Sequence, residues 1–134
     1  MKIGFTGTQR GMPRTQASII GSYFHHIELH HGDCIGADEQ AHNLAKSNGS
    51  CRIVIHPPLN SYKRAWCPNA DTVLSPLDYL DRNRAIVDRT DLLLAAPGEY
   101  EEQLRSGTWA TIRYAKKCSK KIIIIYPDGT DWGN

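Results

Sequence analysis

A short run of residues in the last third of the sequence has the composition of an anion-binding turn. Arg105, Ser106, Gly107 and Thr108 follow an acidic segment and lead into a stretch whose apolar residues have helical spacing. The unpaired N–H groups at a helix N-terminus favour negative charge, and here two hydroxyls and a guanidinium accompany them. The run therefore predicts a phosphate-binding turn. An ordinary capping turn is the alternative interpretation of the same residues.

A second polar turn follows the first apolar segment of the chain. Gly7, Thr8, Gln9 and Arg10 supply a glycine, a hydroxyl, an amide and a cation in sequence. The glycine spacing departs from the G-x-G-x-x-G fingerprint, and no acidic residue closes the second strand at the usual place, so NAD binding is disfavoured. What remains is a turn whose N–H groups can approach an anion, with Arg10 as a charged partner. A plain turn facing solvent is the alternative.

Acidic residues follow the second predicted strand, between Gly32 and Gly36, two glycines that permit a close backbone approach. Asp33 lies in the loop itself and is the candidate for binding the hydroxyl groups of a sugar. Asp38 stands at the start of the next helix, where a carboxylate either caps the helix or contacts a ligand. It lies one helical turn before His42, so the two side chains can interact.

Metal and disulfide chemistry are not expected. His30 and His31 are adjacent in a predicted strand and so point to opposite faces, which argues against a shared metal site. The cysteines form no C-x-x-C pair and are expected to be reduced and mostly structural. They stand at positions 34, 51, 67 and 118.

Strand-length apolar runs alternate with helical segments along the chain, and these elements must position the polar turns. Five strands are predicted, over residues 2–6, 27–31, 51–56, 91–96 and 121–126. Because β-α-β connections are nearly always right-handed and parallel, this order favours an α/β fold. We expect a small doubly wound, mainly parallel five-stranded Rossmann-like sheet with helices on both faces. Ligands of such sheets bind beyond the carboxyl ends of the strands, where the polar turns would meet.

Length and charge limit the classes of protein to consider. The 134 residues fit one domain, and the net charge of +2 is too small to indicate nucleic-acid binding by bulk charge. No apolar segment is long enough for a signal sequence or a membrane span, so a cytoplasmic protein without a membrane partner is expected. Residues 57–76 contain four prolines and no clear period. They predict a long loop that is either a lid over a ligand or a packed surface loop.

Three separated motifs resemble the signatures of one superfamily. Residues 32–42 contain a glycine-alanine-aspartate turn and a histidine, residues 82–87 begin with R-N-R, and residues 105–111 contain S-G-T. In order and spacing these motifs resemble the SLOG superfamily of Rossmann-like nucleotide-binding proteins. Within it they are most similar to the Rossmann domain of DNA-processing protein A (DprA/Smf), over nearly the whole chain.

The resemblance implies a nucleotide or nucleotide-derived ligand, toward which Arg82 and Asn83 also project. It implies no other cofactor, and it implies a homodimer or a higher homo-oligomer. The function expected from it is that of a sensor, carrier or sequestering protein.

Two further functions stay open. The superfamily includes LOG-type phosphoribohydrolases, whose motif P-G-G-x-G-T-x-x-E carries a catalytic glutamate. Aligning Gly107 and Thr108 on its G-T places Thr111 at the position of that glutamate. An N-glycosidic hydrolase of nucleoside monophosphates would therefore need a displaced acid or base. The nearby carboxylates that could supply it are Asp33, Asp38 and Glu39.

The other open function is a single-stranded DNA-binding module of the DprA kind. The chain has no room for the extra domains that usually accompany that Rossmann core. The basic cluster near the end of the fourth predicted helix is better explained as solvated lysines that complement the helix dipole, so DNA binding is possible but not favoured. These lysines are Lys116, Lys117, Lys120 and Lys121.

Overall fold

The computed structural model of the protein describes residues 1–134 and contains seven strands and four helices. The strands are β1 (Lys2–Gly7), β2 (Glu28–His31), β3 (Arg52–Ile55), β4 (Thr72–Val73), β5 (Leu92–Ala96), β6 (Lys121–Ile125) and β7 (Asp131–Gly133). The helices are α1 (Arg14–Gly21), α2 (Ala37–Asn48), α3 (Tyr79–Asp88) and α4 (Gly107–Lys117). The predicted alternation of strands and helices is confirmed.

The strands form one sheet in the order β4-β3-β2-β1-β5-β6-β7. All neighbouring strands are parallel except β7, which runs antiparallel to β6. The mainly parallel, Rossmann-like sheet is therefore confirmed, but the predicted number of five strands is wrong. The two additional strands, β4 and β7, are two and three exposed residues long, so neither carries the apolar pattern that marks a covered strand.

Apolar clusters fill both faces of the sheet, as predicted for a doubly wound fold. Helices α1 and α2 contribute to a cluster that includes Phe5, while α4 contributes Trp109 to a second cluster. Strand β5 serves both: Leu92 and Leu94 belong to the first cluster and Leu93 belongs to the second. This alternation explains why the buried strands are continuous apolar runs.

The helices are short and have defined ends. Asp78 caps α3 by accepting the N–H of Asp81 at 2.8 Å, and Gly49 ends α2 with a φ of 80°. The longest helix, α2, has 12 residues, and none of the helices has the length and apolar character needed to cross a membrane.

Candidate functional site

A cavity of about 750 Å³ lies at the carboxyl ends of β1 and β5. Strand β1 pairs with β2 on one side and with β5 on the other, so the strand order reverses at this point. Open α/β sheets bind their ligands in this crevice. Most of the predicted binding residues line the cavity: Gly7, Thr8, Gln9, Arg10, Gly32, Arg82, Asn83, Arg105, Ser106, Gly107 and Thr108. The two that do not are Asp33 and Gly36.

The N-terminus of α4 forms one end of the cavity. The Ser106 hydroxyl accepts the N–H of Trp109 at 3.2 Å and so caps the helix. The N–H groups of Gly107 and Thr108, in the first turn, have no acceptor, as is general at this end of a helix. Arg105 beside them forms neither a hydrogen bond nor an ion pair. The turn thus uses its serine hydroxyl as a cap and leaves two N–H groups and a guanidinium for a ligand.

The turn after β1 forms the adjacent wall. The N–H of Thr8 donates to the carbonyl of Ala96 at 3.0 Å, which joins the turn to the end of β5. The Arg10 guanidinium pairs with Glu99 at 2.7 Å, and Glu99 also accepts the indole N–H of Trp109 at 3.0 Å. Because the Arg10 side chain is 71% exposed, this ion pair is weak enough for an anionic ligand to compete with Glu99.

Arg82 lines the cavity, but its guanidinium forms hydrogen bonds with other groups of the protein. It is buried, and its Nη1 atom donates to the backbone carbonyls of Gly32 and His56. Its Nε atom donates to Asn83 Oδ1 at 2.9 Å. Arg82 therefore joins the ends of β2 and β3 and positions the cavity floor.

The sequence predicted that Asp33 binds the hydroxyl groups of a sugar, but the structure places it outside the cavity lining. It is completely buried, with Oδ2 accepting from Arg64 Nε at 2.8 Å and Oδ1 accepting the N–H of Cys67 at 2.9 Å. Burial alone would raise the pKa of this carboxyl, but these hydrogen bonds outweigh burial and hold the pKa below its usual value. The Arg64 guanidinium also stacks on Trp66 at 3.8 Å. Asp33 anchors the long loop, and because it is completely buried and does not line the cavity, it is not placed to bind a sugar there.

Gly36 and Glu39 also lie outside the cavity. Gly36 has a φ of 86°, and a Cβ atom there would lie 2.2 Å from the carbonyl oxygen of Gln9. The absence of a side chain at Gly36 thus lets the start of α2 pack directly against the backbone of the β1 turn. The Glu39 side chain is exposed on α2.

Of the acidic residues considered from the sequence, Asp38 does line the cavity. It is only 6% exposed, and its Oδ2 atom accepts the N–H groups of Gly32 at 3.1 Å and Cys34 at 3.2 Å. Its Oδ1 atom makes no hydrogen bond. Burial raises the pKa of Asp38 to about 6, and the nearby charge of Arg82 limits the rise. The expected interaction with His42 is absent, because the His42 ring nitrogens bind elsewhere.

Three side chains near the loop bring ligating atoms within 4.8 Å of one another: those of the buried His31 and His42 and the half-buried Cys67. The two imidazoles form a directed chain. The N–H of Asp33 donates to His31 Nδ1, so the proton of His31 is on Nε2 and donates to His42 Nδ1 at 2.9 Å. His42 Nε2 then donates to the carbonyl of Pro68 at 2.8 Å. All four ring nitrogens are used within the protein, so the geometry favours a structural hydrogen-bond chain over a metal centre.

Two buried imidazoles, those of His31 and His56, predict that the fold is sensitive to acid. Burial lowers the pKa of His31 and of His56 to about 3, whereas an unfolded histidine titrates near 6.5. Below about pH 6.5 the unfolded chain binds more protons, so each histidine removes about 1.4 kcal/mol of stability per pH unit. Asp38, whose pKa is raised, has the opposite effect as the pH falls below about 6. Between about pH 6 and 4.5 we expect a net loss of at least about 1.4 kcal/mol per pH unit in urea unfolding.

The variant Asp38→Asn is the control for this pH dependence. It removes the opposing titration, so the loss between about pH 6 and 4.5 should become about 1.4 kcal/mol per pH unit steeper. A flat pH profile for the wild-type protein would contradict the assignment of neutral, buried histidines.

Several residues of the cavity were not assigned from the sequence. Asn60, Tyr62 and Lys63 form a wall from the long loop, and Lys63 Nζ donates to Gln9 Oε1 at 2.7 Å across the cavity. Tyr79 and Glu99 line the remaining sides. Asn60, Tyr62 and Lys63 belong to the segment that the sequence predicted as either a lid over a ligand or a packed surface loop, whereas Tyr79 and Glu99 had no such prediction. Closure of the loop as a lid stays a prediction.

The basic cluster lies at the other end of α4, away from the cavity. Lys116 and Lys117 occupy its last turn, which confirms their predicted position at the negative end of the helix dipole. Lys116 lies over the Trp132 ring at 4.8 Å, and Lys120 donates to the carbonyl of Thr90.

The fold and the cavity define a Rossmann-like α/β domain with a polar ligand crevice at the reversal of strand order. No family model matches the sequence, and no curated protein matches it either. Solved structures do share the fold. The molybdenum cofactor binding protein of the phototrophic bacterium Rippkaea orientalis matches with a TM-score of 0.72 and 20% identity, over 93% of this chain and 76% of that chain.

Two further structures extend the comparison. The Moco carrier protein of Chlamydomonas reinhardtii matches with a TM-score of 0.68 and 18% identity, over 92% of this chain and 74% of that chain. DNA processing protein A of Streptococcus pneumoniae matches with a TM-score of 0.64 and 17% identity, over 92% of this chain and 49% of that one. The predicted likeness to DprA is thus confirmed at the level of the fold, and the chain spans about half of that protein.

Proposed function

We propose that this protein binds a small, phosphate-bearing, nucleotide-derived molecule in the cavity, as a sensor, carrier or sequestering protein. The observation that carries the proposal is that the free N–H groups of Gly107 and Thr108 and the unpaired Arg105 line one cavity at the reversal of strand order. Such a group of donors holds a phosphate without a metal ion.

The rest of the cavity supports a ligand larger than a phosphate ion. Its volume of about 750 Å³ lies within the range of small-molecule sites, roughly 300–1,000 Å³. Tyr62 and Tyr79 provide aromatic rings on which a flat heterocycle can stack. Two proteins with this fold are named for the molybdenum cofactor, which is a nucleotide-derived small molecule. That naming supports the same general class of ligand here.

The test of this proposal is direct titration. Calorimetry with nucleoside mono-, di- and cyclic phosphates should give saturable binding below about 1 mM for at least one class. Mass spectrometry of small molecules released from the freshly purified protein would identify a co-purified ligand. If the folded wild-type protein binds none of these ligands at millimolar concentration, the proposal fails.

One observation favours a second function, N-glycosidic hydrolysis of a nucleoside monophosphate. The buried Thr111 hydroxyl donates to the carbonyl of Gly107 at 2.9 Å and supplies no acid. Among the three candidate carboxylates, Asp38 alone faces the cavity with a free oxygen. Its pKa of about 6 suits general acid-base chemistry near neutral pH.

This second function predicts release of free base. Chromatography should detect the base with the wild-type protein and not with Asp38→Asn. Nucleotide that stays unchanged after long incubation at high protein concentration would exclude the hydrolase.

A further inference from the structure

We propose that Asp38, and not Asp33, receives a hydroxyl group of the ligand, so that the cavity selects ribonucleotide-type molecules over their deoxy counterparts. This inference rests on the proposed function and names the class of ligand more narrowly.

The Asp38 carboxylate has one oxygen fixed by the protein and one left over. Oδ2 accepts two backbone N–H groups, at 3.1 Å from Gly32 and 3.2 Å from Cys34, which sets the orientation of the carboxylate. Oδ1 has no partner, and the residue lines the cavity. Gln16 Oε1 is the only side-chain atom that is both fully buried and without a partner, so Asp38 Oδ1 stays accessible and is free to accept a donor. A ligand in the cavity can supply that donor.

The spacing of the strands indicates which part of a ligand supplies the donor. The Asp38 carboxylate is held at the end of β2, whereas the free N–H groups of α4 follow β5. Because β1 separates these two strands, a ligand that reaches both subsites must extend across the end of β1. In a nucleoside 5′-phosphate the 2′- and 3′-hydroxyls lie across the sugar ring from the phosphate, so a nucleotide held at the α4 N-terminus can present a hydroxyl to Asp38. The group that reaches Asp38 is then a sugar hydroxyl.

The charge of the site agrees with an acceptor for hydroxyls. Burial raises the pKa of Asp38 to about 6, so the group is ionised above neutral pH and only accepts hydrogen bonds. Arg82 lies on the neighbouring wall, but its hydrogen bonds go to backbone carbonyls and to Asn83, so it leaves Oδ1 free.

The test compares each of the four common ribonucleoside monophosphates with its 2′-deoxy and 3′-deoxy forms by calorimetry at pH 7.5. Because the comparison is made within one base, it does not depend on which base is preferred. Losing a hydrogen bond to a charged group corresponds to about a tenfold or larger loss of affinity. We therefore expect at least one deoxy form to bind wild-type protein about tenfold more weakly than the ribonucleotide.

The variant Asp38→Asn should reduce this difference. Its amide oxygen can accept the two backbone N–H groups, which turns the NH₂ group toward the cavity and replaces the acceptor with a donor. A sugar hydroxyl can still accept a hydrogen bond from this NH₂ group, but that bond is neutral and weaker than one to a carboxylate, so the difference between the ribonucleotide and its deoxy forms should be clearly smaller than in the wild-type protein. Glu39→Gln, on the exposed side of the same helix, should keep the wild-type difference.

The outcomes separate this inference from the proposed function. Equal binding of ribo and both deoxy forms by the wild-type protein overturns the role of Asp38 and leaves nucleotide binding intact. An unchanged difference in Asp38→Asn also overturns it. Failure of every nucleotide to bind overturns the proposed function and this inference together. The wild-type comparison needs no variant, so the inference can be refuted even if Asp38→Asn does not fold.

Discussion

Reversal of the charge at position 105, in Arg105→Glu, should weaken binding of a phosphate-bearing ligand by more than tenfold. Arg105 lines the same cavity as the free N–H groups of Gly107 and Thr108, just before them in the chain, and its guanidinium has no partner within the protein. The variant therefore removes a cation and places an anion next to the phosphate. A charge-assisted hydrogen bond alone corresponds to about 1.5–3 kcal/mol, or roughly ten- to a hundredfold in affinity. Calorimetry with the preferred nucleotide measures the change.

The matched control for this variant is Arg14→Glu. Arg14 is an exposed arginine at the first residue of α1, and it lies outside the cavity. The variant Arg14→Glu therefore makes the same change of charge as Arg105→Glu, also near the N-terminus of a helix. The affinity of this variant should stay within about twofold of wild type, because Arg14 is exposed and does not line the cavity, so solvent and salt screen its charge. Equal affinities of wild type and Arg105→Glu would remove Arg105 from the site.

The variant Gly36→Ala should lower the free energy of unfolding by about 3 kcal/mol or more. Gly36 has a φ of 86° and a ψ of −124°, a conformation that is strained for any residue with a side chain. The added Cβ would also lie 2.2 Å from the Gln9 carbonyl oxygen and 2.7 Å from that of Thr8. Backbone atoms cannot move away as a flexible side chain can, so the β1 turn must shift. Urea unfolding measures the loss.

Gly49→Ala separates the two causes of this loss. Gly49 also has a positive φ, of 80°, but a Cβ atom there would meet no atom within 4 Å. The variant should therefore show the backbone strain alone, about 1 kcal/mol. If the two variants lose the same stability, close packing of α2 against the β1 turn is not important for the fold.

The sequence was sufficient to predict the fold class because the buried strands have continuous apolar runs. Residues 122–125 are four consecutive isoleucines, and they lie in β6 between two layers. The strands that were not predicted, β4 and β7, are held by backbone pairing at the edges of the sheet. Edge pairing places no demand on side-chain polarity, so it leaves no pattern to detect.

The composition of the candidate site was easier to predict than the direction of its side chains. Residues that follow the parallel strands meet at one edge of the sheet, and so most of the predicted set lines one cavity. Asp33 and Asp38 are five positions apart, and either could face a ligand from sequence alone. Their orientations depend on Arg64 and Cys67, which are more than thirty residues away in the chain and bind Asp33. Local sequence contains no information about these distant partners.

The anchoring of the long loop at Asp33 has a consequence for the thermodynamics of binding. The loop contributes Tyr62 and Lys63 to the cavity, while Arg64 and Cys67 just beyond them are hydrogen-bonded to a buried carboxylate. The backbone of this wall is thus held by the protein itself, and association does not have to order that backbone. Immobilising one flexible side chain costs about 0.5–1.5 kcal/mol, so a preformed wall of this kind lets a small ligand bind with few contacts.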